Sequence, residues 1–483
     1  MRTEKDFIGE LKIPDDALYG IHSLRARDNF PDRTPFHVEW YTAVARVKRA
    51  CYLTVIDYLS KVGKKIDPSE LPVKLPDKNI LHSLAESARE CEDGKYFGNF
   101  IVPAVSGGAG TSINMNLNEI LANLTLIRSG HKPGDYMHVD PVEDANIFQS
   151  TNDVVPTALR IAAMYLLNSL EESINLLRAE IEKKENIFRD VIRMGYTQMQ
   201  EAVPTTFGRL FSSYNDALSR DWWRISKCLE RIKVVNLGGS AIGTSVAVPQ
   251  YFTLEVVRKL KEISGLPVTR SENLSDTTSN LDSFAEVHGI VKTHAVNLEK
   301  MVNDIRLLGS ELYGSRSVSL PQKQTGSSIM PGKVNPVIAE FVISSAHRVY
   351  ANDQLIAGLA AQGCLELNAY VPVIGHAFLE SLKLLIACNK SCREHLIMDL
   401  AIEQKPEEDK LLMSPSTATL LLPYIGYNKA GELARKMKEK KTDIFKANRL
   451  LNLIPEKKLR DLLKPENLVR GGFRLKDFTE DSD

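Results

Sequence analysis

A glycine-rich polar stretch, Thr325 to Glu340 (TGSSIMPGKVNPVIAE), contains the residue types that proton chemistry beside a carboxylate requires. Ser327 and Ser328 supply hydroxyls, Lys333 a cation and Asn335 a carboxamide. Glycine and proline at this density are incompatible with a regular helix or strand, so a mobile loop that can approach a ligand closely is predicted. A polar surface turn is the alternative interpretation, because loops are polar for many reasons.

Glycines also punctuate the stretch SGGAGTSINMNLNEILANL, from Ser106 to Leu124. A nucleotide-binding loop is disfavoured there, because no GK[ST] follows and no strand–GxGxxG–helix unit is visible. Thr111 and Ser112 are instead predicted to cap the following helix with their hydroxyls. The backbone N–H groups at that helix start would then face an anion.

A cluster of capping residues opens a long helical pattern: Ser150, Thr151, Asn152 and Asp153. Pro156 is tolerable only because it lies near the start of the helix. Apolar residues then recur in steps of three or four from Val155 to Ile181. The first half is apolar on nearly every face, which predicts burial, including burial between subunits.

Apolar residues recur at helical spacing in four further stretches, Glu39–Leu59, Phe284–Leu308, Val337–Leu359 and Val371–Ile397. Long helices with few strand signals predict a mainly α fold built around a helical bundle. At 483 residues the chain exceeds the size of one core. The predicted division is a mixed N-terminal domain with a small strand or two (1–145), a central helical bundle (146–400), and a small C-terminal helical domain ending in a loosely ordered tail (401–483).

The composition argues against several kinds of partner. The 61 basic and 61 acidic side chains balance, so neither nucleic acid nor a membrane surface is an expected partner. No signal-peptide core and no run of 18 uncharged apolar residues is present, which predicts a cytoplasmic protein. The six cysteines include no CxxC pair, and Cys388 and Cys392, which could share a helix face, are interpreted as reduced core residues rather than metal ligands. The ten histidines, which lack HExxH-like spacing, are interpreted as structural. Neither a metal nor a cofactor is expected.

The run GSSIMPGKVNP, Gly326 to Pro336, closely resembles the signature of the aspartase/fumarase superfamily, whose lyases cleave a C–N or C–O bond and release fumarate. Three further motifs occur in the family's order: GGAGTS, QSTND and MGYTQMQEAVPTTFG from Met194. The stretch PYIGY, from Pro423, resembles the family's small C-terminal domain. The resemblance implies a three-domain lyase with a central bundle of long helices, assembled as a homotetramer with active sites shared between chains.

Carried over motif by motif, the resemblance assigns a role to each polar position. Ser327, the first of the serine pair, is the expected base, acting as an oxyanion that removes a proton from Cβ of L-aspartate. Lys333 and Asn335 would stabilise the aci-carboxylate that develops beside that carbon, in a site from which the loop excludes water. The remaining substrate-binding residues are expected to be Thr111, Ser150, Thr151, Asn152, Thr197, Gln198 and Ser328.

Gln198 is the position that separates two substrates. Fumarases typically carry histidine there, paired with a glutamate that matches Glu340, to activate water. A glutamine cannot exchange a proton near neutrality, so reversible deamination of L-aspartate to fumarate and ammonia is favoured. Fumarate hydratase is the alternative on the same scaffold. A non-catalytic scaffold protein is the alternative from another class, and the intact Ser327, Lys333 and Asn335 argue against it.

This chain departs from the family's pattern at two positions, one before Gln149 and one before the signature loop. Just before Gln149 the sequence is DPVEDAN, without a histidine of the HPNDHVN run that many members carry. That change puts a secondary anion site in doubt. Before the signature loop, SELYGSRSVSLPQKQ is unlike the usual SGPR-type lead, and this difference bears on loop closure.

Overall fold

The computed structural model describes residues 1–65, 75–312 and 317–478. The helices of this part of the chain are α1 (Ile21–Asn29), α2 (Val38–Val62), α3 (Lys78–Glu92), α4 (Thr111–Arg128), α5 (Thr151–Ile187), α6 (Phe207–Ser226), α7 (Cys228–Ile232), α8 (Gln250–Ser264), α9 (Leu274–Ser279), α10 (Asp282–Leu308), α11 (Val337–Ala360), α12 (Val371–Ser391), α13 (Gln404–Met413), α14 (Leu422–Lys440), α15 (Ile444–Leu451), α16 (Glu456–Leu462) and α17 (Pro465–Val469). The strands are β1 (Arg2–Lys5), β2 (Glu10–Ile13), β3 (Ile192–Thr197), β4 (Gln200–Thr206), β5 (Val234–Val235) and β6 (Thr269–Arg270). They pair in twos, β1 with β2 and β3 with β4 antiparallel, and β5 with β6 parallel.

The mainly α fold predicted from the sequence is confirmed. Helices α2, α5, α10 and α11 occupy the predicted stretches, and α12 continues into a π-helical turn at Cys392–Ile397. The short pair β1–β2 supplies the strands expected near the N-terminus. The β3–β4 hairpin and the long α6 after it were not predicted.

The described residues divide into two compact units, each assembled from three segments of the chain. Unit 1 draws on Met1–Glu171, Trp223–Thr293 and His347–Ile386. Unit 2 draws on Glu172–Trp222, His294–Ala346 and the described residues from Ala387 onward. The three consecutive domains stay a prediction.

The core of unit 1 is built on the aromatic face of α2, where Trp40, Tyr41 and Tyr52 are fully buried. Helix α2 packs against α3 and α8. The indole N–H of Trp40 donates to the carbonyl of Val155 at 3.3 Å. Its ring lies so close to Gly375 of α12 that an added Cβ would approach within 2.5 Å. These contacts hold the first turns of α5 against α2.

Residues 153–164 of α5 are buried on every side within the single chain. Side chains of the same chain cover this segment, including Trp40 and Phe284, whose ring centre lies 4.8 Å from the Arg160 guanidinium. The prediction that this all-round apolar segment is buried between subunits is therefore wrong.

A layer of buried polar side chains crosses the bundle in unit 2. His294 Nδ1 of α10 lies 3.0 Å from Asp221 Oδ2 of α6, and its Nε2 lies 3.1 Å from Asn389 Oδ1 of α12. Asn389 in turn donates to Ser173 Oγ of α5 at 2.9 Å. Because these interior polar groups are paired with one another, the layer fixes the relative register of four helices.

The C-terminal helices of unit 2 share one apolar core with β3. Its members include Leu411, Leu433, Ile444 and Leu459, together with Met194 of the strand. The chain segment after α17 is tied down, because Arg470 pairs with Asp477 at 2.5 Å and Lys458 donates to the Asp477 carbonyl at 2.8 Å. The prediction of a loosely ordered tail is wrong for residues 471–478, and residues 479–483 lie outside the described residues.

Cys388 and Cys392 are buried, which confirms the core positions predicted for them. Cys51, Cys91 and Cys228 are buried as well, and Cys364 is exposed. It lies in the turn after α11, where its N–H donates to the Leu367 carbonyl at 2.9 Å.

Val371–Ile397 is, among the described residues, one helical segment long and apolar enough to cross a membrane, with a mean hydropathy of 1.6. Of the 18-residue stretch of this segment that gives this hydropathy, 61% is buried within the protein. The core helix of a soluble protein has the same length, composition and burial, so the segment is weak evidence for a membrane span.

Candidate active site

In unit 1 the N-termini of α4 and α5 lie next to each other. Gly110, the residue before α4, has a φ of +90°, and a Cβ there would lie 2.9 Å from Val155 Cγ1 of α5. Only glycine allows this approach with this backbone. Asn114 Nδ2 of α4 donates to Thr151 Oγ1 of α5 at 3.2 Å. Helix N-termini carry the positive end of the dipole and unpaired N–H groups, so their junction favours an anion.

Thr111 is the first residue of α4 and is exposed. The prediction that Thr111 and Ser112 cap this helix is wrong, because the N-cap is Gly110 and both hydroxyl residues lie inside the first turn. Glycine has no side chain to accept from the first N–H groups. The exposed Thr111 therefore lies beside N–H groups that the N-cap residue leaves available to an anion.

Helix α5 begins with the capping arrangement that its sequence predicts. Ser150 Oγ accepts from the Asn152 N–H at 3.2 Å, and Asp153 Oδ1 accepts from the Ser150 N–H at 3.0 Å. Asp153 Oδ2 also accepts from the N–H groups of Gly238 at 3.2 Å and Ser240 at 3.0 Å. Burial raises the pKa of the Asp153 carboxyl to about 7, although these three N–H groups favour its charged form. Asp153 thereby ties the start of α5 to the loop after β5.

That loop, residues 236–248, was missed in the sequence. It is joined to the site by Asn152, whose Nδ2 donates to the Ala241 carbonyl at 2.7 Å. Left-handed backbone recurs along it at Gly238, Ser240, Gly243, Ser245 and Ala247. Three of these residues are not glycine, and such backbone costs about 1–3 kcal/mol each and is concentrated at functional sites. The glycines of LGGSAIGTS were the available signal.

Buried polar side chains hold the segment just before α5, residues 146–149. They were not identified from the sequence. Lys48 of α2 is fully buried and donates to Gln149 Oε1 at 2.9 Å. Asn146 Oδ1 accepts from Asn114 at 3.0 Å and from Asn118 at 3.2 Å. Burial lowers the pKa of the Lys48 ammonium to about 7. A lysine within the apolar face of a predicted helix was the signal for this network.

Thr197 and Gln198 lie at the tip of the β3–β4 hairpin in unit 2. Thr197 pairs with Gln200 across a two-residue turn. The turn residues Gln198 and Met199 both have left-handed backbone, with φ of +50° and +59°. A turn of this kind normally takes Asn-Gly. Thr197 and Gln198 are exposed in the single chain.

The loop predicted for residues 325–340 is confirmed as a loop from 325 to 336, with left-handed backbone at Gly332. Its predicted end is wrong, because α11 begins at Val337 and includes Glu340. Pro336 directly precedes the helix, where its missing N–H costs nothing. Of the unusual lead before this loop, residues 313–316 lie outside the described residues.

Ser327 accepts two backbone hydrogen bonds within the loop. Its Oγ accepts from the N–H of Met330 at 2.9 Å and from the N–H of Ile329 at 3.2 Å. Preorganised N–H donors aimed at one oxygen stabilise negative charge on it. The arrangement is suited to a serine that acts as an oxyanion.

Asn335 closes the loop on itself. Its Nδ2 donates to the Gly326 carbonyl at 2.8 Å, and the Gly326 N–H donates to the Lys333 carbonyl at 2.8 Å. A Cβ at Gly326 would lie 2.8 Å from the backbone nitrogen of Asn335. The side chains of Lys333 and Ser328 are exposed. In this conformation Asn335 therefore clamps the loop.

The predicted site residues fall into both units. Unit 1 carries Thr111, Ser150, Thr151 and Asn152, and unit 2 carries Thr197, Gln198, Ser327, Ser328, Lys333 and Asn335. The four in unit 1 lie at the joined N-termini of α4 and α5. In unit 2, one group shares the signature loop and the other shares the hairpin tip.

A cavity of about 720 Å³ in unit 2 contains none of these residues. It is lined by β4 and the C-terminal helices, with Glu201, Tyr427, Arg435 and Lys438 as its larger polar groups. The loop and the helix N-termini, with their oriented donors, are the better candidates for chemistry.

Two family models match the chain. One, described as Lyase, matches residues 9–351, and the other, described as Fumarase C C-terminus, matches residues 418–470. The first alone covers well over half of the chain. The chain belongs to the aspartase/fumarase superfamily of lyases. It is therefore an enzyme of this family.

Individual relatives of the superfamily match over nearly the whole chain. Aspartate ammonia-lyase of Bacillus subtilis (strain 168) is 35% identical over 481 residues, covering 99% of this chain and 98% of the relative. The solved structure of fumarate lyase:delta crystallin from Brucella melitensis bound to cobalt has a TM-score of 0.88, is 34% identical and covers 98% of this chain and 100% of its own. That of class II fumarase from Schistosoma mansoni has a TM-score of 0.86, is 25% identical and covers the same shares. The first relative is by name a carbon–nitrogen lyase.

Proposed function

We propose that this lyase is an aspartate ammonia-lyase, which converts L-aspartate reversibly to fumarate and ammonia. The observation that carries the proposal is the pair of N–H groups donated to Ser327 Oγ by Ile329 and Met330. Hydrogen bonds to a charged group are worth about 1.5–3 kcal/mol each, so the pair stabilises an oxyanion by about 3–6 kcal/mol. The cation of Lys333, which is exposed six residues along the same loop, is proposed to act on the substrate's developing charge.

The proposed reaction begins with a proton transfer. The Ser327 oxyanion takes a proton from Cβ, and the electron pair of that C–H bond moves into the neighbouring carboxylate to form the aci-carboxylate dianion. Those electrons then form the Cα=Cβ bond of fumarate, and the Cα–N pair leaves with ammonia. Lys333 and Asn335 stabilise the dianion, which carries more charge than the substrate and so gains more from them. These steps require no cofactor.

The substrate is gripped, in this proposal, where α4 and α5 begin. Thr111, Ser150, Thr151 and Asn152 supply hydroxyl and amide groups beside two positive helix ends, which suits a carboxylate. Thr197 and Gln198 of the hairpin and Ser328 of the loop would contact the rest of the substrate. Neutral donors hold an anion without adding a base that competes with Ser327.

Fumarate hydratase is the second candidate, supported by the match to a fumarase C-terminal model and by the Schistosoma mansoni fumarase neighbour. Aspartate is favoured because Gln198 cannot serve as the proton-exchanging partner of Glu340. The higher identity to the Bacillus subtilis aspartate ammonia-lyase supports the same choice.

The proposal includes a cytoplasmic homotetramer of three-domain chains in which each active site combines segments of different chains. The match to the C-terminal model at residues 418–470 falls inside the proposed C-terminal domain, 401–483. Support for assembly comes from α11, which leaves Phe341 and Leu355 exposed at 38% and 41% in the single chain. Apolar residues on one face of a long helix are typical of a subunit interface.

A direct assay separates the candidates. Fumarate absorbance is followed with L-aspartate and then with L-malate as the substrate. Turnover of aspartate with little or none of malate is expected. Turnover of malate alone would identify a hydratase, and turnover of neither would identify a scaffold protein or a lyase of another substrate.

Replacing the proposed base tests the mechanism. Ser327→Ala is expected to abolish turnover while leaving aspartate binding, measured by calorimetry, within about threefold, because the base contributes to the transition state rather than to ground-state binding. Thr325→Val is the matched control, since it removes another exposed hydroxyl of the same loop that accepts neither of these N–H groups and is not among the proposed substrate contacts. A Ser327→Ala enzyme with a near-normal rate would exclude Ser327 as the base.

A further inference from the structure

Two histidines and an aspartate converge on the segment between α4 and α5 in unit 1. His131 Nδ1 lies 3.7 Å from Asp135 Oδ2, and His138 Nε2 lies 3.8 Å from the same oxygen. The two imidazoles are stacked, with ring centres 3.9 Å apart. One potential ligand atom from each of the three side chains lies within 4.8 Å of the other two.

The cluster is built on a turn that the rest of unit 1 holds in place. The Asp135 N–H donates to the Lys132 carbonyl at 3.2 Å, and the His138 N–H donates to the Asp135 carbonyl at 3.1 Å. Gly134, inside the turn, donates its N–H to Asn123 Oδ1 of α4 at 2.8 Å. The three side chains therefore project from an ordered backbone.

Hydrogen bonding between the side chains does not explain the convergence. At 3.7 and 3.8 Å the carboxylate oxygen is beyond hydrogen-bond reach of either ring nitrogen. A metal ion bound between the three side chains would join them. Bonds of about 2.0–2.2 Å in the plane of each ring require the two stacked imidazoles to rotate apart around the ion.

We propose that His131, Asp135 and His138 bind a divalent transition-metal ion of the zinc type. Two imidazoles and one carboxylate suit zinc and its neighbours better than Mg²⁺ or Ca²⁺, which prefer oxygen ligands. Partial exposure of the three side chains, at 35%, 42% and 54%, leaves the remaining coordination positions to water. The ion clamps the segment that joins α4 to α5, and it is separate from the proposed chemistry at Ser327.

The test measures metal binding by the full-length, tag-free enzyme after removal of metals with a chelator. Zn²⁺ is titrated by equilibrium dialysis, and Co²⁺ is added in parallel because its visible absorption reports imidazole coordination. A Cys364→Ser background removes the exposed thiol as a competing ligand. This Cys364→Ser parent, with His131, Asp135 and His138 intact, is expected to bind one ion per chain at the proposed site.

His131→Ala and His138→Ala are each expected to weaken this binding by at least about 100-fold. Removing a group that only hydrogen-bonds to a metal ligand already costs about 10- to 100-fold, and these substitutions remove a ligand itself. His82→Ala, which removes another exposed imidazole, is the matched control and should bind like its parent. Zn²⁺ should raise the melting temperature of the parent and not that of the double variant that carries both His131→Ala and His138→Ala. Equal stoichiometry and affinity in the parent and the double variant would overturn the proposal, as would no binding below millimolar metal.

Discussion

His37 and His376 face each other in unit 1, with ring centres 4.8 Å apart. His37 is the N-cap of α2, and its Nε2 donates to the His376 carbonyl at 3.2 Å. Burial, reinforced by the His376 and Lys383 charges, lowers the pKa of the His37 imidazole to about 4. The protein therefore holds this side chain neutral over a pH range in which an unfolded chain would protonate it.

Because His37 is buried as the neutral imidazole, the free energy of unfolding should decrease as the pH falls. Because the folded pKa of His37 lies below the unfolded value of 6.5, its contribution is complete above pH 6.5 and is lost as the pH falls through about 4. The loss amounts to at most about 3 kcal/mol, at 1.36 kcal/mol per pKa unit. His37→Gln keeps an N–H donor that cannot ionise, so its urea midpoint should fall less than that of the wild type between pH 7 and pH 4. The exposed control His82→Gln should follow the wild type, and parallel losses in all three proteins would contradict the assignment.

Asn114 illustrates a residue that positions another. Its Nδ2 donates both to Thr151 Oγ1 and to Asn146 Oδ1. Asn114→Asp keeps the shape of the side chain and removes both of these N–H donations. KM for aspartate should rise about tenfold, which is the effect of losing the one hydrogen bond that positions Thr151. The control is Asn118→Asp, because Asn118 donates to the same Asn146 oxygen and not to Thr151. Equal KM values for the two variants would assign Asn114 a structural role only.

The sequence predicts which residues form the proposed site, but it does not predict the hydrogen bonds that these residues make. The serine, lysine and asparagine of the signature loop are visible in the sequence as a motif. The two N–H groups on Ser327 are not, because any residue at positions 329 and 330 except proline provides an N–H. Asn114 and Asn146 carry no local pattern that predicts their contacts, whereas Lys48 is marked only by its position on the apolar face of a predicted helix. The proximity of His131, Asp135 and His138 has no counterpart in an HExxH-like spacing, because a turn and not one helix brings the three side chains together.

At the scale of elements, the long helices were predictable because apolar spacing over 20 or more residues is a strong signal. The β3–β4 hairpin was not, because its turn is Gln198-Met199 and lacks the Asn-Gly or Asp-Gly signal of a type I′ turn. The start of α4 differs from the prediction because Gly110, which adopts left-handed backbone, takes the N-cap position that Thr111 and Ser112 were expected to fill. At both the hairpin turn and the start of α4, the structure depends on residues with left-handed backbone.

The hairpin turn stores strain that a substitution can release. Met199 has a φ of +59°, and glycine adopts this backbone at little cost. Met199→Gly should therefore raise the free energy of unfolding by about 1 kcal/mol, measured from the urea midpoint. Met199→Ala removes the same side chain and keeps the strain, so it should show no gain. A gain in both variants would point to the exposed methionine side chain instead of the backbone.

At the scale of the whole molecule, the proposal of subunit assembly depends on which apolar side chains stay exposed in the single chain. The all-round apolar part of α5 is covered by its own chain, so it gives no evidence for a partner. The evidence lies on α11, where apolar side chains remain exposed on a helix that directly follows the signature loop. An interface on α11 would place a neighbouring chain beside the loop that carries Ser327. Assembly and catalysis are thereby linked in the proposal.

Mixing two inactive chains tests that link. Ser327→Ala damages the loop, and Thr151→Val damages the start of α5 without changing its size. If each site takes these segments from different chains, co-refolding equal amounts should restore about a quarter of wild-type aspartate turnover, because about one site in four then receives both intact segments. Sites built from a single chain would regain nothing, since every site would then carry one of the two lesions. The same variants refolded separately and then combined serve as the control, and size-exclusion chromatography verifies that both preparations are equally assembled.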